Sequence, residues 1–158
     1  MSARSIFDSA PLGAIIRYSD GTPRPPARFK RKLAAWENAN NAGRLTCKAP
    51  ARTVGNYTSP ASFTLHQGDY GSGVVVVLKV FKTFSVDSAL TFTVVERPAP
   101  GTVRVLNRAG DDAELVYLAG SRADAETWLK SHGYPDAVLD EVTAETAANE
   151  TVEGRAVA

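Results

Sequence analysis

β-Branched and alternating positions dominate the middle of this chain. Residues 74–77 are four consecutive valines, and Val80, Phe81, Thr83 and Phe84 carry the bias onward. Such side chains lose rotamer freedom in a helix and pack well on a pleated surface. Successive strand side chains face opposite ways, so Val74, Val76 and Leu78 share one face and Val75 and Val77 the other. A run apolar on both faces predicts a central strand covered on both sides. Lys79 and Lys82 predict that its second half approaches an edge of the core. The flanking Gly71 and Gly73 favour a strand over a buried helix.

Shorter stretches around it read as further strands: 14–18, 45–48, 62–66, 90–96, 102–106, 113–118 and 137–142. Short turns after residue 84 predict antiparallel neighbours in sequence order, a meander. Asp140 and Glu141 place the last stretch at a sheet edge. The glycine-rich 67–73 (QGDYGSG) lacks the lysine-plus-hydroxyl ending of a phosphate loop and the dinucleotide spacing. It reads as a turn or bulge feeding the valine run.

Two segments carry helical spacing. In 27–42, Phe29, Leu33 and Trp36 make one stripe, bounded by Pro25 and Pro26 before it and Gly43 after it. In 121–132, Ser121 is an N-cap with Asp124 three residues on, and Gly133 and Pro135 end the helix. The fold class expected is α+β: an antiparallel β-meander sheet with two helices packed on one face and flexible N- and C-terminal tails. A chain of 158 residues is most simply one domain, here 13–143. Residues 1–12 read as a mobile tail and 144–158 as a disordered acidic one.

Charge changes this picture by its distribution. Residues 1–60 carry ten Lys/Arg against three Asp/Glu, whereas 109–158 carry three against eleven. The basic set Arg24, Arg28, Lys30, Arg31, Lys32, Arg44, Lys48 and Arg52 is the candidate anion or nucleic-acid surface. The alternative is that it meets the acidic half. Four of these cations open the first helix, where they oppose its dipole.

Other chemistry is thin. Cys47, His66 and His132 stand in no metal-ligand spacing, and Asp111, Asp112 and Glu114 read as a solvated turn. His66 ends a strand and reads as exposed, while His132 reads as a packing or capping residue. No catalytic residue, metal set or cofactor is assigned. The longest apolar run cannot span a bilayer, and the first residues lack a leader pattern. A single cysteine allows no internal disulfide and points to a reducing compartment, hence the cytoplasm.

The function expected is a non-enzymatic interaction or regulatory module working through a sheet edge and a charge-polarised surface. Its partner is another protein or a second copy. The alternative is a nucleic-acid-binding accessory protein using segment 24–52, although a sequence pI near 7.9 lies below the usual basic-domain value of about 9. The third reading is a small enzyme with a Cys/His site assembled in space.

Overall fold

The computed structural model describes residues 1–148. In chain order the elements are α1 (Ala3–Ser9), β1 (Ile15–Ser19), α2 (Lys30–Ala39), β2 (Asn41–Ala49), β3 (Arg52–Val54), β4 (Tyr57–Ser59), β5 (Ser62–Ser72) and β6 (Val75–Ser85). Next come β7 (Thr91–Glu96), β8 (Val103–Leu106), β9 (Leu115–Ala119), α3 (Arg122–Lys130) and β10 (Val138–Glu141). The fold is α+β with antiparallel sheets. It has two main sheets rather than one: a five-stranded sheet in the order β6-β5-β2-β1-β7, and a three-stranded one in the order β10-β8-β9. The small hairpin β3–β4 stands apart.

The valine strand is therefore an edge, not the centre. Among the described residues β6 pairs only with β5, and Val75, Val76, Val77 and Leu78 are 49–78 % exposed. Nor does β7 pair with the strand before it. It crosses to the far side of the sheet and lies against β1, with Phe92 opposite Tyr18. Only five residues separate the end of β6 from the start of β7, a reach of about 20 Å at most. The sheet must curl to let its two edges come that close.

The rings show the curl. Phe84 on β6 and Phe92 on β7 sit 5.2 Å apart edge-to-face, and Tyr18 on β1 lies 4.8 Å from Phe84. Phe63 completes the cluster, 5.3 Å from Phe92. Contacts of this geometry stabilise beyond their burial by about 0.5–1.5 kcal/mol per pair. One end of the trough thus closes on an aromatic core. At the other end the β5–β6 hairpin runs free of the body.

Residues 1–12 are not a loose tail. Ser2 Oγ accepts from Ser5 N at 3.1 Å and starts α1, whose Ala3 and Ile6 are fully buried against the closed end. The Met1 amino group donates to Phe92 O at 2.7 Å. The apolar spacing at Ala3, Ile6, Phe7 and Ala10 fits a single amphipathic helix.

The second sheet carries α3, packed through Ala125 on Val103 and Val105. Arg104, 5 % exposed, ties the two halves: its Nε donates to Leu12 O at 2.9 Å and its Nη1 to Asp140 Oδ2 at 3.1 Å. As the sequence indicates, β10 is an edge strand. α2, in contrast, buries none of its residues, so the two long helices do not share one face. Of the acidic tail, residues 144–148 are helical, and 149–158 lie outside the described residues.

Candidate functional site

A cleft of about 580 Å³ opens between the outer face of the β5–β6 hairpin and the α3–β9 layer. Register builds one wall. Arg44, His66 and Phe81 lie side by side across β2, β5 and β6. Gly43 lets β2 approach β5, since a Cβ there would sit 2.8 Å from His66 O. At Gln67 the pairing slips: His66 faces Phe81, then Gly68 faces Val80 and Asp69 faces Lys79. This β-bulge inserts one residue and re-aims the side chains beyond it. Residues three apart on a regular strand face opposite ways, yet here His66 Nε2 lies 2.7 Å from Asp69 Oδ1. The extra residue is used as well: Gln67 Nε2 donates to the buried Tyr18 hydroxyl at 2.5 Å.

Aromatic rings build the opposite wall. Trp128 stacks on His132 (3.8 Å, 9°) and on Tyr117 (4.9 Å, 5°), with Tyr134 5.6 Å away and nearly parallel. His132, a packing or capping residue by its sequence position, stacks on Trp128 just past the Ser131 cap and has Nδ1 2.8 Å from Trp128 O. Ser121 Oγ accepts from Asp124 N at 3.2 Å and fixes the start of α3. Asp124 in turn accepts from Tyr117 Oη at 3.2 Å. Burial, and then the Asp124 charge, push the Tyr117 phenol above its ordinary pKa.

Cys47 forms no hydrogen bond with either histidine among the described residues. Its sulfur faces Asp112 O at 3.9 Å, and His66 and His132 are engaged with Asp69 and Trp128. Burial, with Glu114 and Asp112 adding to it, raises the thiol pKa, which opposes a thiolate nucleophile. Among the described residues no group of three or more His, Cys, Asp or Glu could hold a metal ion. Asp112 instead meets Arg108 at 2.9 Å. No helix among the described residues is long and apolar enough to cross a membrane.

The basic set divides. Arg24, Arg28, Lys30, Arg31 and Lys32 gather on α2 and its approach, all outside the buried core. Arg24 meets Glu37 at 3.7 Å, and the Arg28 and Lys32 cations lie over the exposed Phe29 ring. The other three scatter. Arg44 turns into the cleft and donates to Gly13 O at 2.7 Å. Lys48 lies over Phe7 on the opposite face, because a bulge between Leu45 and Cys47 shifts the register. Arg52 reaches Asp112 at 4.0 Å, one meeting of the basic and acidic halves.

The second candidate surface is the free hairpin. Residues 69–78 are exposed on both strands, and β6 presents its outer edge unpaired. Asp69 and this edge are what the sequence did not assign. The glycines of 67–73 signal irregular pairing, but nothing in them says which side chain is turned inward.

No curated protein and no solved structure matches the chain. A family model does match, over residues 1–146, and the chain belongs to that family, described as Uncharacterised conserved protein UCP036055.

Proposed function

We propose that the protein is a non-enzymatic interaction module whose working surface is the outer edge of β6, and that the occupant is β6 of a second copy. The observation that carries this is the exposure of Val75, Val76, Val77 and Leu78 on an unpaired edge strand. A second β6 added at this edge would satisfy the open row of N–H and C=O groups and flank these side chains on both faces. A two-stranded hairpin apolar on both faces is marginal by itself in water. Soluble proteins normally blunt such an edge with charge, proline or a covering element, and residues 75–78 carry none of these.

Charge favours self-pairing. Antiparallel pairing about Val77 sets Val76 against Leu78 and Val75 against Lys79 of the other copy. No lysine then faces a lysine, and Lys82 lies beyond the paired stretch. The contact is two-fold and closes on itself, continuing the five-stranded sheet into a ten-stranded one. Sedimentation equilibrium tests it. The wild type is expected to be a dimer and Val77→Lys a folded monomer. A monomeric wild type at all concentrations contradicts the reading.

A second reading rests on α2. No residue of this helix is buried, and it carries Lys30, Arg31 and Lys32 beside Arg28. Such a surface meets phosphates without reading sequence. Charge reversal at these four positions is expected to abolish filter binding of single-stranded nucleic acid and to flatten its salt dependence.

A further inference from the structure

We propose that the cleft between the β5–β6 hairpin and α3 binds a planar purine base of the guanine type. It is independent of the edge pairing, which uses the rim of β6 rather than its cleft-facing side chains.

Three observations lead there. The cleft volume, about 580 Å³, is in the range of small-molecule sites. One wall is a set of near-parallel rings centred on Trp128, and Tyr134 at its margin is 38 % exposed. Parallel rings of this kind favour another flat ring as the next layer. The charged groups of the cleft are of both signs. Arg44 on β2 and Lys79 on β6 supply donors across from the rings, Asp69 on β5 supplies an acceptor there, and Glu114 supplies a second from just before β9 on the ring-bearing side.

That mixture selects the ligand. A purely anionic ligand would meet two carboxylates, and a plain hydrocarbon ring would use none of the four charged groups. Guanine places two acceptors, O6 and N7, beside two donors, N1–H and the exocyclic amine, on one flat ring. Arginine and lysine pair with the acceptor side, and carboxylates accept from the donor side. The bulge at Gln67 serves this arrangement. Without it Asp69 would face away from His66 and out of the cleft. With it, Asp69 is held by the His66 imidazole at 2.7 Å, oriented before any ligand arrives.

The two tryptophans allow a clean test. Trp36 lies outside the cleft, so Trp36→Phe leaves Trp128 as the only indole. In this background guanosine monophosphate is expected to change Trp128 fluorescence in a saturable titration. Adenosine monophosphate, with the same phosphate and a different ring edge, is expected to bind at least tenfold more weakly, as is benzoate. Asp69→Ala should weaken guanosine monophosphate at least tenfold with an unchanged thermal melt. If that variant melts early, the exposed Tyr134→Ala replaces it and should weaken binding in the same way. The proposal is overturned if guanosine monophosphate gives no saturable change. It is also overturned if adenosine monophosphate or benzoate matches it, or if the folded cleft variants titrate like their parent.

Discussion

His66 and Asp69 share one face of β5, although three residues along an unbroken strand should separate them across the sheet. The slip at Gln67 accounts for it, and the Nε2–Oδ1 separation of 2.7 Å fixes the imidazole by an acceptor at Nε2. In its neutral form His66 is expected to carry its proton on Nε2, the nitrogen that faces the carboxylate. Long-range ¹H–¹⁵N spectra should show that tautomer in the wild type and a tautomer mixture in Asp69→Ala. An Nδ1-protonated wild type would contradict the arrangement.

Tyr18 gives a pH signature. Burial raises its phenol pKa, only partly offset by the Gln67 hydrogen bond. The folded chain therefore keeps this proton to higher pH than the unfolded chain does. Stability from Tyr18 is fully present below about pH 10, the unfolded value, and is lost as pH rises through the folded value. Lys82, whose Nζ lies 4.8 Å from the Tyr18 ring centre, acts in the other direction. Desolvation lowers its pKa, so the folded state sheds that proton first and gains stability over the same alkaline range. Comparing urea midpoints of wild type and Tyr18→Phe isolates the phenol. The variant should lose less stability than the wild type on going from neutral pH to about pH 11.

The reach of sequence reasoning is clear at this strand. β6 was legible as a strand because β-branching is a local property, and α3 was legible because its cap and terminating residues are local too. What four valines cannot reveal is whether anything in the same chain covers them or pairs with their outer edge. Their two-faced apolar pattern calls for cover, and the described residues of the single chain do not provide it. Likewise α1 escaped notice because seven residues carry too little periodicity, although Ile6 ends up fully buried. The site residue Asp69 was hidden for a different reason: one inserted residue inverts every inward or outward assignment beyond it.

Arg104 holds the two sheets together. Replacing it with Ala strands the Leu12 carbonyl and removes the partner of the half-exposed Asp140. Chemical denaturation should show a loss of about 2–4 kcal/mol. A change within about 0.5 kcal/mol, ordinary for a surface position, would show that the joint lies elsewhere.

Cys47 should react slowly. Burial and the acidic pair Glu114 and Asp112 raise its pKa, so little thiolate is present near neutral pH. Alkylation of the folded protein is expected to lag that of the unfolded chain by at least tenfold. Glu114→Gln should recover a part of that difference. Folded-state labelling at the rate of a free thiol would contradict the assignment.

Backbone amide exchange over residues 75–79 tests the β6 edge most directly. Among the described residues β6 has β5 on one side and no strand on the other, so the outward amides of this stretch are expected to exchange freely in a lone chain. The expected result is strong protection in concentrated protein that disappears on dilution, and disappears at all concentrations in Val77→Lys. Rapid exchange of these amides in the concentrated wild type, equal to that of the variant, would contradict a second copy seated on β6.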